Sequence, residues 1–477
     1  MKKPNIILAL IPIIVLITCL VISVTLFGND STSGPSQIAL LIGTAVSILI
    51  STIFLKVPYS KIESSMLNSL SSMGSAIFIL LMIGALTSTW MLSGVVPTLI
   101  YYGLKMINPS IFLAIVFVFT AIISIMAGSS WTTIGTIGVA MMSAGSILGL
   151  HEGWLAGAII SGAYVGDKIS PVSDTTNLSA SVSGVDLYKH IRYLIITNIP
   201  IFILTLIIFL VVGFFFTPKA ETVNVSQQMA ELTSAYNISG WLLLVPCVTI
   251  ALIIKKVSPF MTLFISSVIA SVVIFFAQPH IIDQVCVGVE GGLNQFLYSS
   301  FKIISSGATI ETGSAMMNEL SDTAGMAGML NTIYLILCVI AFGGAFQAGG
   351  FIEVITEKIM KVVKNAFGLV TSTVVTSILS NIILSDQYIS ILITGNMYKE
   401  TYAKRGYAPE LMSRSLQDSA TVTSVLVPWN TCGIMQSTVL GVATFTYLPY
   451  CIFNLISPIV TIFVAAIGYK IRKIATK

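Results

Sequence analysis

Long apolar runs alternate with short polar breaks along nearly the whole chain. A helix needs roughly 20 apolar residues to cross about 30 Å of hydrocarbon. Runs of about that length fall at about 5–27, 37–55, 109–127, 192–216, 239–254, 257–277, 327–345, 367–384 and 447–468. Between them, over about 73–105, 128–190, 290–326, 346–365 and 386–445, the pattern is broken by Gly, Pro, Ser and Asp. Irregular backbone at membrane depth survives only inside protein or along a cavity, so the pattern predicts an all-α polytopic membrane protein of about 10–13 membrane segments, with broken helices and re-entrant hairpins. The first run follows Met1-Lys2-Lys3-Pro4 and is succeeded by Gly28-Asn29-Asp30-Ser31. No small-x-small cleavage site stands there, so a retained first helix is expected rather than a signal peptide.

Composition narrows the class further. Of 477 residues, 55% are apolar and 9% charged, against about 25% charged in a soluble domain. The mean hydropathy is +0.96. A chain of soluble domains is excluded, and one integral membrane domain over 1–477 is expected. Cys19, Cys247, Cys286, Cys338, Cys432 and Cys451 stand singly, with no metal-ligand or redox spacing, and read as small apolar residues. The net charge of +4 does not mark a nucleic-acid partner, because the basic residues lie in short clusters between apolar runs. Lys2 and Lys3, Lys56 and Lys61, Lys189 and Arg192, Lys255 and Lys256, and Lys470, Arg472 and Lys473 form those clusters. The positive-inside tendency places them, and both termini, in the cytoplasm. The loop 217–238, with Lys219, Glu221 and Glu231, suits the outside.

That loop separates two halves, 37–216 and 239–468, which resemble each other. A shift of 256 positions lays Ile79–Ser129 on Leu335–Ser385 without a gap. Gly94 then falls on Gly350, Lys105 on Lys361, Thr120 on Thr376, Ser124 on Ser380 and Ser129 on Ser385. In each half two broken polar stretches follow. Internal repeats of this kind mark secondary transporters, and two inverted repeats would bring the broken segments together near the bilayer midplane.

Charges at membrane depth are costly and are kept where they line an ion path. Four segments carry such residues. Gly128-Ser129-Ser130-Trp131-Thr132-Thr133-Ile134-Gly135-Thr136 reads either as an unwound helix with freed carbonyls or as a packing seam of small residues. Gly166-Asp167-Lys168-Ile169-Ser170-Pro171-Val172-Ser173-Asp174-Thr175-Thr176-Asn177 crowds two carboxylates, an ammonium, hydroxyls and an amide around a helix-breaking proline. Hard oxygen ligands suit hard cations such as Na⁺. The alternative is a cytoplasmic loop in which Asp174 caps a helix through Thr175 and Thr176. Lys168 is placed to neutralise either aspartate. Ser385-Asp386-Gln387-Tyr388-Ile389-Ser390 carries a carboxylate with no basic residue nearby in sequence. Gln417-Asp418-Ser419 leads to Pro428-Trp429-Asn430-Thr431, and Asp418 has Arg414 four residues before it as an ordinary partner. His190 reads as a headgroup-level residue. No HExxH, CxxC or phosphate-binding loop occurs, so an enzyme is not expected.

The string Gly166-Asp167-Lys168-Ile169-Ser170-Pro171-Val172-Ser173-Asp174-Thr175-Thr176-Asn177-Leu178 resembles the signature of the NhaC-type sodium/proton antiporter family. Gly184-Val185-Asp186-Leu187-Tyr188-Lys189-His190-Ile191-Arg192, Gly128–Thr133, Asp386-Gln387-Tyr388, Gln417-Asp418-Ser419 and Pro428–Thr431 fit the same pattern, and the resemblance runs from about 37 to 468. It implies a bacterial plasma-membrane antiporter with inverted repeats that exchanges Na⁺ for H⁺ without a cofactor. It also implies an alternative, because some members resemble malate/lactate antiporters that move organic acids coupled to Na⁺ and H⁺.

The expected mechanism is competition. Asp167, Asp174, Asp386 and Asp418 would border one midplane cavity and hold either Na⁺ or protons. Asp167, Asp174 and Asp386 are the leading Na⁺ ligands. Ser129, Thr132, Ser173, Thr175, Ser385, Asn177 and Asn430 would complete the oxygen shell. The ion preference among Na⁺, Li⁺ and K⁺ stays open at this point, as does the oligomeric state, a homodimer included.

Overall fold

The computed structural model describes residues 4–27, 33–106, 109–216, 225–314, 317–318, 321–360 and 365–474. Among them the regular structure is helical, apart from one isolated β-bridge between Tyr407 and Lys473. Lys2, Lys3, Lys219, Glu221 and Lys361 lie outside the described residues.

The chain begins with α1 (Ile6–Phe27), α2 (Pro35–Leu49), α3 (Tyr59–Leu92), α4 (Val95–Met106), α5 (Pro109–Ala127), α6 (Ser130–Thr133), α7 (Val139–Ile147), α8 (Glu152–Ile169), α9 (Asp174–Ser183) and α10 (Leu187–Phe216). Next come α11 (Val225–Ala235), α12 (Leu244–Ile254), α13 (Pro259–Ala277), α14 (Pro279–Val285) and α15 (Gly292–Ser306). The chain ends with α16 (Leu330–Ala348), α17 (Phe351–Met360), α18 (Ala366–Leu384), α19 (Gln387–Lys404), α20 (Pro409–Leu416), α21 (Thr431–Leu440), α22 (Thr444–Tyr447) and α23 (Ile452–Ala466).

Among the described residues, eight helices are long and apolar enough to cross a membrane, or up to ten if each of two bent pairs is one span. The bent pairs are Met229–Ala235 with Gly240–Ile254, at 88°, and Thr444–Tyr450 with Ile452–Ala466, at 55°. One span falls where the hydropathy pattern suggested a broken stretch. Met73–Leu92 is the apolar part of α3, which runs unbroken for 34 residues. The serines of its first turns lower its hydropathy without breaking the helix, and the break comes at Gly94, with φ +80°.

The molecule is built outward-apolar, as a lipid-facing protein must be. On α10, Ile195, Ile199, Ile203, Ile207 and Val211 are all exposed. Their spacing of four makes one continuous stripe along the helix. The opposite side of α10 buries His190, Thr197, Asn198 and Thr205. A soluble helix shows the reverse arrangement.

At the centre stands α8, buried along most of its length. Its glycines let neighbours approach its backbone closely. A Cβ at Gly162 would lie 2.0 Å from Thr120 Oγ1, and one at Gly166 would lie 2.2 Å from the Ile125 nitrogen, both on α5. On another side a Cβ at Gly157 would lie 2.4 Å from the Tyr450 carbonyl oxygen. Ser124 on α5 also donates to the Ala163 carbonyl at 2.5 Å. Tight packing on several sides fixes where α8 delivers its last residues, Asp167 and Lys168.

Element bounds recur along the chain. α5 and α18 are both 19 residues long and begin 257 positions apart. α9 and α21 are both 10 residues long, also 257 apart, and each ends on a left-handed glycine, Gly184 or Gly441. Earlier in each series the offset is 256, as the left-handed Gly94 and Gly350 show. One residue is therefore gained between Gly350 and α18.

Candidate ion site at two broken helices

The first break lies between α5 and α6. Gly128 turns the chain with φ +66°, and a Cβ there would meet Val172 and Ser173 at 2.6–2.9 Å. Glycine is needed both for the turn and for contact with the 170–173 loop. Ser129 then caps α6, accepting from the Thr132 amide at 3.3 Å. A π-helical turn over Ile134–Gly138 follows. Such turns leave backbone groups out of the regular ladder and recur at functional sites.

Asp167, 4% exposed, points into this break from the end of α8. Its Oδ2 accepts from the Ser130 hydroxyl at 2.6 Å. Its Oδ1 accepts from Ser173 at 2.7 Å and from Thr175 at 3.3 Å. Thr176 donates to the backbone oxygens of Asp167 at 3.0 Å and Lys168 at 3.1 Å. The Pro171 turn is what folds Ser173, Thr175 and Thr176 back onto the residue that precedes them.

The second break lies between α18 and α19. Ser385 sits in the left-handed region at φ 58°, a conformation that costs a non-glycine residue about 1–2 kcal/mol. Asp386, 3% exposed, caps α19 by accepting from the Ile389 amide at 2.9 Å. Thr431 donates to its Oδ2 at 3.2 Å, and the Thr431 amide donates to the Ser385 carbonyl at 2.9 Å. Asn430 caps α21 and donates to the Asn381 carbonyl at 3.1 Å. The half-buried Tyr388 interacts electrostatically with Asp167, Asp174, Asp386 and Cys432, so the two breaks face one region. Among the described residues, no lysine, arginine or histidine nitrogen is paired with Asp167 or Asp386.

A second charged cluster adjoins the first. Lys168 Nζ pairs with Asp418 Oδ1 at 2.7 Å, with both side chains at 0% exposure. Lys168 also donates to Ser457 at 2.6 Å and lies 5.0 Å from the Phe453 ring centroid. Asp418 Oδ2 accepts from Thr197 at 2.9 Å and from Thr461. Gln417, the first residue of a second π-turn over Gln417–Thr421, ties the clusters together. It donates to Thr175 at 3.2 Å, Thr176 at 3.3 Å and the Lys168 carbonyl at 3.5 Å, and it accepts from Ser179 at 2.6 Å.

Several expectations change. Lys168 pairs with neither Asp167 nor Asp174. Adjacent residues on a helix point about 100° apart, so Asp167 turns to the hydroxyl ring while Lys168 turns to α23. Asp418 does not pair with Arg414, because Lys168 and two threonines occupy its oxygens. The cap of α9 is Ser173, which accepts from the Thr176 amide, and Asp174 is the first helical residue. Asp174 and Asn177 are exposed. The Asn177 amide donates to the Pro171 and Ser173 carbonyls, at 3.1 and 2.7 Å. His190 is fully buried, with Nδ1 2.8 Å from Ser413 Oγ, rather than at headgroup level.

The hydroxyls of Thr132 and Ser385 are buried without a partner among the described residues. Ser130, Thr431 and Gln417 lie within the polar segments, but nothing in sequence distinguishes them from the polar residues beside them. Thr197, Ser457 and Thr461 carry no signal in sequence, being lone hydroxyls in apolar runs.

Residues 3–176 and 162–469 match the family model described as the Na⁺/H⁺ antiporter family. The chain is 33% identical over 431 residues to the Na⁺/H⁺ antiporter NhaC of Alkalihalophilus pseudofirmus, covering 90% of each chain. It is 33% identical over 417 residues to the malate-2H⁺/Na⁺-lactate antiporter of Bacillus subtilis, covering 87% of this chain and 86% of the relative. It is 31% identical over 476 residues to the arginine/ornithine antiporter ArcD of Halobacterium salinarum, covering 98% and 93%.

Proposed function

The chain belongs to the Na⁺/H⁺ antiporter family, a transporter family and not an enzyme class, and we propose that it exchanges Na⁺ for H⁺ through competition at Asp167 and Asp386. One observation carries this reading. Two buried carboxylates at two broken helices both lie within electrostatic reach of Tyr388, each accepts from hydroxyl or amide donors, and neither is paired with a cation among the described residues. An ionised carboxylate held in a low-dielectric interior costs several kcal/mol. Either a proton or Na⁺ removes that cost, so the loaded site is neutral with one ion or the other.

Coupling follows from the same energy. A site that moves between the two sides only when neutralised carries a proton in one direction and Na⁺ in the other. For Na⁺ the hydroxyls of Ser130, Ser173, Thr175 and Thr431 rotate, so that their oxygens face the ion and their hydrogens turn elsewhere. Ser129, Thr132, Ser385 and Asn430 line the breaks and complete the set of oxygens. Asp174, exposed at the start of α9, draws cations toward Asp167. Asp418 is neutralised permanently by Lys168 and is a fixed part of the frame. The inverted relation of the halves, cytoplasmic termini and a bacterial plasma membrane belong to this same proposal.

Organic-acid exchange coupled to Na⁺ and H⁺ is the second reading. One relative is named for malate and lactate, another for arginine and ornithine, and all four molecules carry a carboxylate. The observation that favours it here is the buried Arg414.

The test uses purified protein in proteoliposomes with a pH dye inside. An imposed pH gradient should collapse on adding Na⁺ alone. Asp167→Asn and Asp386→Asn should each abolish that response while remaining monodisperse in detergent. Wild-type exchange rates in either variant would remove that carboxylate from the mechanism.

A further inference from the structure

Arg414, on α20, is fully buried, yet its Nε, Nη1 and Nη2 have no hydrogen-bond acceptor among the described residues. Its guanidinium stacks on the Tyr193 ring, 4.6 Å from the centroid. A buried lysine can shed its proton, but a guanidinium in a protein does not. Its charge therefore requires a counter-charge.

The nearby acids are committed elsewhere. Asp418 is held by Lys168, Thr197 and Thr461. Glu410, one turn earlier on α20, faces Arg472 at 3.8 Å. Asp186, at the start of α10, is exposed and accepts from the Lys189 amide at 3.1 Å. Lys168 lies close enough to Arg414 to repel it. Lys168, Arg414 and Asp418 together leave one buried positive charge unbalanced.

Two further features point to an incoming anion. His190, bonded to the neighbouring Ser413, has a buried Nε2 with no partner among the described residues. Arg472, half exposed, packs on the same Tyr193 ring at 5.1 Å from its centroid. Arg472 and Arg414 thus share one ring, and with Lys168 near Arg414 and only Asp418 and Glu410 opposing them, the cluster keeps a net positive charge that favours an anion.

We propose that Arg414 binds the carboxylate group of a small organic acid, which supplies the missing acceptors. A planar guanidinium with several free donors matches a planar carboxylate in two parallel hydrogen bonds, better than it matches a spherical ion. This inference rests on the organic-acid reading and is independent of Na⁺/H⁺ competition at Asp167 and Asp386.

The test is calorimetric titration of the full-length protein in detergent, at constant Na⁺, with sodium lactate, sodium malate and sodium chloride in turn. Lactate or malate should bind saturably. Arg414→Gln should raise Kd about ten-fold or more, which is about 1.4 kcal/mol or more. Arg414→Lys, which keeps the charge but loses the fork, should weaken binding to a smaller extent. Gel filtration and the ligand-free unfolding midpoint check that each variant is folded. If neither acid binds wild-type protein, if chloride alone binds, or if both folded variants bind as wild type does, the assignment is overturned. The wild-type titration decides even if Arg414→Gln fails to fold. Na⁺-driven proton exchange measured without any carboxylate reports on the cation reading separately, so either reading can fail alone.

Discussion

Replacing Asp418 by Asn isolates the energetics of the buried ion pair. The substitution leaves Lys168 with Ser457 and the face of Phe453, but with no anion. Removing one partner of a buried pair typically destabilises by about 3–5 kcal/mol. The lysine itself sets a ceiling. It can escape by releasing its proton, and from an ordinary value near 10.4 this costs about 4–5 kcal/mol at pH 7, at 1.36 kcal/mol per unit. The sign with pH then follows. A lysine left neutral in the folded state regains its proton on unfolding, so the unfolded state holds more protons and stability rises with pH. The Asp418→Asn defect should therefore shrink by about 1.4 kcal/mol for each pH unit between 7 and 9. Equilibrium unfolding in mixed micelles, at several pH values, measures both quantities. Lys168→Met combined with Asp418→Leu should recover most of the loss, because no charge is left stranded. A defect below about 1 kcal/mol at pH 7 would refute the reasoning, since even exposed pairs reach that size. So would a double variant no better than Asp418→Asn.

Two other perturbations probe different parts of the site. Asp174→Asn should raise the Na⁺ concentration for half-maximal exchange without abolishing turnover, and the difference from wild type should fade at high ionic strength, because an exposed carboxylate acts through a screened field; the same proteoliposome assay, run at two salt concentrations, reads it. Gly166→Val should lower both stability and exchange, because even a Cβ there would meet the α5 backbone at 2.2 Å, and overpacking of this kind costs about 1–3 kcal/mol or more; unfolding in mixed micelles checks the first effect and dye-monitored exchange the second.

The placement of the broken segments was legible because their signals are local. Gly128 and Pro171 interrupt apolar runs, and each interruption is a real turn with hydroxyls packed around it. The carboxylate of Asp167 was legible for the same reason, since Ser173 and Thr175 lie within eight positions of it. What was not legible depends on distance along the chain and on direction around a helix. Lys168 and Asp418 are 250 positions apart, and sequence adjacency pointed Lys168 at Asp167 instead. Thr197 and Thr461 sit in runs whose hydropathy marks them only as lipid-spanning, yet both face inward to Asp418. Arg414 looked like an i, i+4 partner for Asp418, and only the three-dimensional arrangement shows that oxygen pair already occupied.

Asp167 and Lys168 are neighbours on one helix but belong to different clusters, and this is the feature from which coupling can be built. Asp167 belongs to the ring of hydroxyls proposed to hold the ion, whereas Lys168 anchors α8 to Asp418 and Ser457, some 250 or more positions along the chain. Gln417 closes the circuit by bonding to Thr175, Thr176 and the Lys168 carbonyl. The end of α8 therefore cannot shift toward or away from the start of α9 without disturbing the bonds to Gln417. In the proposed exchange, loading Asp167 with Na⁺ in place of a proton turns the hydroxyls of Ser130, Ser173 and Thr175, and the last two cap and begin α9. On that proposal the change of ion is felt first where the start of α9 meets Gln417, a contact that ties segments more than 240 positions apart.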